Sequence, residues 1–438
     1  MSKDCEGVEN GERKTENGTP KGSPTEREVK RKVKMKRFLL GVFFVMSAFL
    51  GQAQHLFEHS YPMIQEEDVR VRQLMNQVSK DSLEATIDHM QSYHTRRWDS
   101  RMVYEVQDWL YETYRDMGFD SVFLHDFQFT HHDTVYETSD NVIAIQRGLV
   151  YPDEYVVCGA HYDSYNNSPG HPDSLRAPGA DDNASGSSGI IETARLLSHC
   201  TFERSIIYCG WAAEEVGLKG SAAFAKDCAD QRLDIVGYFN LDMIGYLEPG
   251  SDIHVNLMFT TRDSIIGDYV FNFSHVYFPE MPIWQDWLTW GDSDYSSFNR
   301  NGYAAVHPFE NTHHSSPFIH TPNDLLGVSV NNMDQVKRFT ELNLGLVATL
   351  AGLISNGVDD DADDHLKVYP NPSSGTLVIG GIPMRQVEIY DLLGQRKTSH
   401  SCFGEECVLD VGFLVPGVYF VRVLSTDNNL LTEKVVIN

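Results

Sequence analysis

Three apolar, β-branched runs in the middle of the chain each lead into residues that can bind a metal ion. The runs and the residues that follow them are 155–160 with His161, 205–209 with Glu214 and Glu215, and 235–241 with Asp242. Such runs are typical of strands buried on both faces, and helical patterns lie between them. The sequence therefore predicts a three-layer α/β sandwich with a mostly parallel central sheet. Ligands bind such sheets beyond the carboxyl ends of the strands, where these residues would meet.

The adjacent acids Glu214 and Glu215 are the most informative pair. Burying an unpaired carboxylate is costly and raises its pKa. A bound metal ion would remove that cost for one of them, and the other could accept a proton from a metal-bound water. The alternative is that the pair lies on a solvated loop after a strand.

Further candidate ligands precede and follow this pair along the chain. Imidazole is the commonest metal-binding side chain, and a carboxylate often holds its second nitrogen, so Asp163 is placed to orient His161. Asp181 and Asp182 lie in a loop before a helical pattern, and His320 follows much later. Each of these residues alone is more often structural, but together they predict a metal site.

Five sequence blocks occur in a recognisable order: GAHYDS (159–164), APGADDNASG (177–186), AAEEVGLKGS (212–221), NLDMIGY (240–246) and IHTPNDLL (319–326). With them, roughly residues 70 to 355 resemble the M28 family of dizinc peptidases, and most of all its bacterial secreted leucyl-type aminopeptidases. The resemblance implies a zinc-dependent enzyme that removes N-terminal, apolar residues from peptides. The attacking group would be a hydroxide that bridges the two metals.

The resemblance also implies a role for individual residues. It assigns one Zn²⁺ to His161, Asp182 and Asp242, the second Zn²⁺ to Asp182, Glu215 and His320, the general base to Glu214, and the orientation of His161 to Asp163. It further implies a cis peptide bond between Asp182 and Asn183.

The substrate pocket is where the chain departs from these aminopeptidases. They carry a cysteine pair beside the pocket, whereas residues 288–292 read Leu-Thr-Trp-Gly-Asp. Aromatic residues in the segment that leads to His320 line the pocket or belong to the core; they are Trp290, Tyr295, Phe298, Phe309 and Phe318.

Three other functions compete with this interpretation. A glutaminyl cyclase would use the same fold with one zinc, and a carboxypeptidase would need basic groups, of which the pocket segment offers little beyond Arg300. A surface binding module could retain a vestigial metal site.

With 35 Lys and Arg against 62 Asp and Glu, the formal charge of −27 argues against nucleic acid as a partner.

The N-terminal region has the sequence pattern of a leader segment. Residues 1–34 are polar and charged and are predicted to be disordered, and residues 35–53 have the basic start and short apolar core of a signal peptide. A transmembrane anchor is the alternative, but the apolar run is shorter than the roughly 20 residues that span a bilayer. We therefore expect no stable membrane span after signal removal, and we expect Met35 to be the true start. The peptidase domain is predicted to cover 55–357.

The C-terminal region reads as a linker and a small all-β sandwich domain. Residues 358–365 form an acidic linker, with a calcium loop as the alternative, and residues 366–438 resemble the sorting domain of the type IX secretion system. An immunoglobulin-like or carbohydrate-binding module is the alternative. The resemblance implies the type IX secretion machinery as a partner, export across the outer membrane, and a secreted or cell-surface protein. Cys402 and Cys407 are close enough in sequence to form a disulfide in an oxidising compartment, or they remain thiols.

Overall fold

The computed structural model describes residues 55–131, 133–287, 292–356, 366–392, 394–426 and 429–438. The predicted disordered extension 1–34, the signal peptide 35–53 and the acidic linker 358–365 lie outside the described residues. The same holds for Trp290 and for most of the segment that replaces the cysteine pair.

The helices of the described ranges precede, separate and follow the strands of the peptidase domain. They are α1 (Val69–Asn76), α2 (Lys80–Ser92), α3 (Met102–Asp116), α4 (Gly186–Leu197), α5 (Lys219–Asp230), α6 (Ser264–Tyr277), α7 (Tyr295–Arg300) and α8 (Met333–Ala351). Helix α8 is the final amphipathic helix that the sequence indicates. Its apolar stripe is buried, as Val336, Phe339 and Leu342 show.

The strands fall into two groups, one before and one after the undescribed segment 357–365. The first group is β1 (Ser121–His125), β2 (Gln128–His131), β3 (Thr134–Glu137), β4 (Asn141–Gln146), β5 (Tyr151–His161), β6 (Thr201–Phe202), β7 (Arg204–Trp211), β8 (Asp234–Asn240), β9 (Val255–Met258), β10 (Ile283–Gln285), β11 (Ala305–Phe309) and β12 (Leu353–Ser355). The second group is β13 (Lys367–Tyr369), β14 (Thr376–Asp391), β15 (Arg396–Asp410), β16 (Gly417–Ser425) and β17 (Leu430–Ile437).

The central sheet has eight strands in the order β1-β4-β7-β5-β8-β11-β9-β10. The pairings β7–β5, β5–β8, β8–β11 and β9–β10 are parallel. The pairings β1–β4, β4–β7 and β11–β9 are antiparallel. The sheet is therefore mixed, and its parallel centre is formed by the strands that carry the candidate ligands.

Alternate side chains of the central strands enter two different apolar cores. On β5, Val156 and Cys158 belong to the larger core, whereas Tyr155 and Val157 belong to the smaller one. Helices α1, α2, α3, α4 and α8 bury apolar residues in the larger core, and α5 and α7 do so in the smaller core. The predicted three-layer α/β sandwich is confirmed, and burial on both faces explains the continuous apolar runs.

The C-terminal domain is an antiparallel sheet with its own core, which confirms the predicted all-β domain. Strands β13, β14, β16 and β17 are neighbours in this order, and β15 pairs with β14. Cys402 and Cys407 are joined in a disulfide. Cys158 and Cys209 are buried thiols in the peptidase domain. No helix in the described ranges is long and apolar enough to cross a bilayer.

Candidate metal centre

The parallel strands β7, β5 and β8 bring the predicted ligands together at one edge of the sheet. His161 is the last residue of β5 and lies beside Trp211, the last residue of β7. Gly159 of β5 lies beside Asn240, the last residue of β8. Because these strands end level with one another, the turn after β7 and the segment after β8 lie next to His161.

Two groups of side chains meet there, and they share Asp182. In the first group, His161 Nε2 lies 3.3 Å from Asp182 Oδ1 and 3.4 Å from Asp242 Oδ1. In the second group, His320 Nε2 lies 3.1 Å from Asp182 Oδ2 and 2.8 Å from Glu215 Oε2. The potential ligand atoms of each group lie within 4.8 Å of one another. Asp182 thus offers one oxygen to each group, as a bridging carboxylate would.

The nitrogen and oxygen atoms of the two groups are better suited to binding metal ions than to hydrogen bonding with one another. The buried atoms His161 Nε2, Glu215 Oε1 and Asp242 Oδ1 have no hydrogen-bond partner within the described part of the chain. Buried polar atoms are almost always paired, so three orphans in one place point to a missing partner. Imidazole nitrogens and carboxylate oxygens are the ligands that zinc binds, and manganese and cobalt accept them too.

The surrounding carboxylates raise the pKa values of both imidazoles. Burial lowers the pKa of His161, but Asp242 and other surrounding carboxylates outweigh burial and hold it well above its usual range. Burial also lowers the pKa of His320, but hydrogen bonds to Asp182 and Glu215 outweigh it and raise this pKa to about 11. A metal ion would therefore compete with protons at these imidazoles.

The adjacent glutamates are both shielded from solvent, with side chains 11% and 4% exposed for Glu214 and Glu215. Burial raises the pKa of Glu214 well above its usual range, and the nearby carboxylates of Asp294, Glu215 and Asp242 add to the effect. Burial, with Asp182, raises the pKa of Glu215 to about 8. Glu214 Oε2 lies 4.0 Å from His161 Nε2, farther than the oxygens of Asp182 and Asp242.

Asp163 holds the turn that carries both glutamates. Its Oδ1 accepts a hydrogen bond from the backbone N–H of Glu214 at 3.0 Å, and its Oδ2 accepts one from Glu215 at 3.2 Å. The same carboxylate lies 3.5 Å from His161 Nδ1, which also lies 3.2 Å from the backbone oxygen of Asp163. Asp163 thus lies where it was predicted to orient His161, and it fixes the glutamate turn as well.

Asp324 holds the loop of Asp182 in the same way as Asp163 holds the turn of the two glutamates. This function of Asp324 was not predicted from the sequence. Its Oδ1 accepts a hydrogen bond from Asp181 N at 2.8 Å, and its Oδ2 accepts one from Asp182 N at 3.1 Å. The signal that the sequence offered was the position of Asp324, four residues after His320 in the block IHTPNDLL. The peptide bond between Asp182 and Asn183 is cis, as the resemblance implies.

Arg96 is a fully buried cation that sequence reasoning also missed. It donates hydrogen bonds to backbone oxygens: Nε to Tyr162 at 2.8 Å, Nη2 to Gly179 at 2.8 Å, and Nη1 to Met90 and Pro178. These bonds join the loop of Asp163 to the loop of Asp182. Burial lowers the pKa of Arg96 to about 10, although Asp324, Asp163, Asp182 and Glu215 oppose that shift. The guanidinium therefore supplies positive charge among the carboxylates.

The first group of ligands has two neighbours from the segment before α7. Ser293 Oγ donates a hydrogen bond to Asp242 Oδ2 at 2.7 Å. Both oxygens of the buried Asp294 have no hydrogen-bond partner among the described residues. Burial raises the pKa of Asp294 to about 7.

Non-glycine residues with positive φ lie beside the candidate ligands. Ala213 precedes Glu214 and has φ 54°, Met243 follows Asp242 and has φ 53°, and His320 itself has φ 57°. This conformation is costly for a side chain with a Cβ and is typical of functional sites.

An apolar cluster lies directly beside the ligands. It contains the buried side chains of Met243, Met258 and Phe309, with Tyr295 and Ile319 packed against them. Met243 directly follows Asp242, and Ile319 directly precedes His320, so two members of the cluster are chain neighbours of candidate ligands.

The predicted pocket aromatics separate into different places. Tyr295 and Phe309 belong to the cluster beside the ligands. Phe298 belongs instead to the smaller core, where its ring stacks on Tyr238 at 4.0 Å between centroids. Phe318 is half-buried.

Two family profiles match the chain. Residues 141–346 match peptidase family M28, and residues 367–438 match the secretion system C-terminal sorting domain. Leucine aminopeptidase 1 of Emericella nidulans is 28% identical over 296 residues, which cover 64% of this chain and 73% of that protein. Leucine aminopeptidase 1 of Sclerotinia sclerotiorum is 28% identical over 307 residues, which cover 67% and 76%.

Solved structures show the same fold. The Legionella pneumophila LapA aminopeptidase aligns with a TM-score of 0.57 and 23% identity, over 68% of this chain and 78% of that one. The Porphyromonas gingivalis glutaminyl cyclase aligns with a TM-score of 0.51 and 17% identity, over 62% and 98%. The chain therefore carries a peptidase domain of family M28 followed by a secretion system sorting domain, and it is a hydrolase of the aminopeptidase type, exported across the outer membrane to the cell surface or the medium.

Proposed function

We propose that the chain is a dizinc aminopeptidase that releases large apolar residues from the N-termini of peptides. The observation that carries the proposal is the pair of ligand groups that share Asp182, with one carboxylate oxygen in each. His161 and Asp242 would complete one zinc site, and Glu215 and His320 would complete the other. Two bound ions would polarise the scissile carbonyl and make a water acidic enough to attack at neutral pH.

Glu214 is the proposed general base. Its carboxylate lies beside the ligand groups, and burial and nearby carboxylates raise its pKa, which suits a proton acceptor. It would take a proton from the attacking water and deliver it to the leaving nitrogen as the C–N bond breaks. Asp163 would keep Glu214 in place through the backbone N–H of that residue.

The apolar cluster is the proposed pocket for the side chain of the substrate's first residue. Met243, Met258 and Phe309 form its buried wall, and Tyr295 and Ile319 complete it. A substrate carbonyl held between His161 and His320 would place the N-terminal side chain near these residues. The surrounding carboxylates favour a free, positively charged α-amine.

Substrate selection tests this proposal. We expect leucyl and phenylalanyl p-nitroanilides to be cleaved with kcat/KM values at least about 10-fold above that of the glycyl compound, since a large side chain gains a few kcal/mol in an apolar pocket. We expect N-acetylleucyl p-nitroanilide to be a poor substrate, and we expect a chelator to stop all release. Initial rates across the panel, with and without chelator, give the answer.

Three results would contradict parts of the proposal. Equal cleavage of free and acetylated substrates would indicate an endopeptidase. Activity that survives chelation would exclude the metal mechanism. Conversion of a glutaminyl peptide to a pyroglutamyl product would favour a glutaminyl cyclase, the activity named for one solved structure with this fold.

The proposed domain organisation predicts the ends of the mature protein. We assign 1–34 as an extension, 35–53 as a signal peptide, 55–357 as the peptidase domain, 358–365 as a linker and 366–438 as the sorting domain recognised by the type IX secretion machinery. We therefore expect the secreted protein to begin near Gln54 and to lack the last strands of the C-terminal domain. Intact-mass spectrometry of protein from culture medium measures both ends, and an intact C-terminus in the soluble form would contradict the sorting assignment.

A further inference from the structure

Tyr165 lies at the edge of the candidate metal centre. The family resemblance assigns it no role in the reaction. We propose that Tyr165, held by Arg97, forms the subsite for the side chain of the substrate's second residue. The inference rests on the proposed aminopeptidase function and adds a specificity-determining residue to it.

The exposure of the candidate ligands shows where the site opens. The side chains of His161, Asp182, Glu215 and Asp242 are 0%, 8%, 4% and 10% exposed, whereas that of His320 is 31% exposed. A peptide therefore enters and its remainder leaves on the side of His320.

Tyr165 contacts His320 on this open side. The two ring centroids are 5.4 Å apart, and the ring planes are nearly perpendicular, at 88°. Two residues later, Asn167 N donates a hydrogen bond to the backbone oxygen of His320 at 3.0 Å. The loop of Tyr165 is thus fixed to His320, and the half-buried tyrosine forms a wall beside it.

Arg97 holds the tyrosine ring from the other direction. Its guanidinium lies 5.1 Å from the centroid of the Tyr165 ring, in a cation–π contact. Asp99 accepts hydrogen bonds from Arg97 Nε at 2.9 Å and from Nη2 at 3.0 Å, which fixes the guanidinium plane. Trp98 anchors this loop, because its ring packs against Phe129 and Tyr136 of the β2–β3 hairpin. The tyrosine is therefore preorganised before substrate binds.

The sheet order separates this wall from the apolar cluster. Tyr165 follows β5, and Trp98, beside Arg97 in its loop, packs on the β2–β3 hairpin. Met243 follows β8, the neighbour of β5, and Met258 and Phe309 belong to β9 and β11, which lie beyond β8 in the strand order. A peptide bond that lies over the metal centre has its first side chain in the cluster, and its second residue then lies against Tyr165.

The chemistry of the wall selects among second residues. Because Asp99 pairs with Arg97, the wall offers an aromatic surface backed by a paired guanidinium. Aromatic rings favour contact with other aromatic and large apolar side chains. We therefore expect peptides with phenylalanine at the second position to be preferred over peptides with glycine there.

The experiment compares Leu-Phe-amide with Leu-Gly-amide on the zinc-loaded enzyme. For the wild type, we expect a kcat/KM ratio of at least about 10 in favour of the phenylalanyl peptide. Tyr165→Ala should reduce this ratio toward 1, mainly through a higher KM for Leu-Phe-amide. Tyr165→Phe keeps the ring and should keep the ratio. Zinc content, measured in every variant, should stay constant.

Tyr151→Ala is the matched control. The guanidinium of Arg204 lies 5.4 Å from the Tyr151 ring centroid, so this variant removes a similar cation–π pair. Tyr151 begins β5 whereas His161 ends it, which separates the two by about 33 Å at 3.3 Å per residue. The control should therefore retain the wild-type ratio.

Several outcomes would overturn the proposal. A wild-type ratio near 1, an unchanged ratio in Tyr165→Ala, or an equal loss on both peptides would each show that Tyr165 does not select the second residue. Cleavage of neither peptide by the wild-type enzyme would overturn the proposed function itself, and the subsite with it.

Discussion

Replacing Glu214 by glutamine should remove nearly all turnover while both metal ions stay bound. Glutamine keeps the size and the hydrogen-bonding shape of the side chain but cannot accept the proton of the attacking water. General acid–base catalysis is worth about 10²- to 10⁴-fold, so kcat should fall by at least that factor. The metals should remain because Glu214 belongs to neither ligand group.

Glu215→Gln is the matched comparison and should fail in another way. Glu215 lies 2.8 Å from His320 Nε2 in the second ligand group, and a neutral amide is a poor substitute for a carboxylate ligand. This variant should lose zinc from one site. Asp163 holds both residues through their backbone N–H groups, so neither substitution removes those hydrogen bonds.

Zinc content beside kcat, measured for both variants, distinguishes the roles. Zinc loss in Glu214→Gln with retention in Glu215→Gln would reverse the assignment. Full activity in both variants would mean that the turn after β7 is not catalytic.

The fold was predictable because its central strands are buried on both faces. A run such as 205–209 has no polar alternation, which predicts a central strand of an α/β protein. The parallel centre then follows, and with it the edge at which His161 and Asp242 meet. The antiparallel pairings of β1, β4 and β9 were not predictable, since periodicity carries no information about strand direction.

The positioning residues of the site were harder to predict than the ligands. Arg96 is fully buried, but an arginine beside another arginine in a sequence is normally taken as a surface residue. Its acceptors are backbone oxygens, which leave no pattern in the sequence. Phe298 shows the same limit for aromatic residues, because only the tertiary structure reveals which side of the sheet a short helix covers.

Residue type alone does not decide which of the adjacent acids Asp181 and Asp182 is the metal ligand. Both lie in the same loop and are equal candidates by chemistry, and only the family resemblance selected Asp182. The structure separates them physically. Burial raises the pKa of Asp182, but the adjacent imidazoles of His161 and His320 outweigh it and hold this pKa below its usual range. Burial, with Glu310 and Asp324 nearby, raises the pKa of Asp181 well above its usual range.

The same contrast predicts opposite results for two matched substitutions. Asp182→Asn removes the shared negative charge from both ligand groups, so we expect both zinc ions to be lost and activity to fall to that of chelator-treated enzyme. Burial, with Glu310 and Asp324 nearby, raises the pKa of Asp181 and so favours its protonated form, which asparagine closely resembles. Its oxygen can still accept the hydrogen bond from Gly245 N, which is 2.9 Å long in the native chain. Asp181→Asn should therefore keep both ions and most of the activity.

Zinc titration and kcat, measured for the two asparagine variants under the same conditions, test the bridge directly. Loss of one ion only from Asp182→Asn would show that Asp182 serves a single site. Loss of zinc from Asp181→Asn with retention in Asp182→Asn would show that Asp181, and not Asp182, is the bridging carboxylate. The predicted pattern requires that a carboxylate with one oxygen in each group holds both ions, since Asp181, the acid beside it, belongs to neither group and accepts a hydrogen bond from Gly245 N.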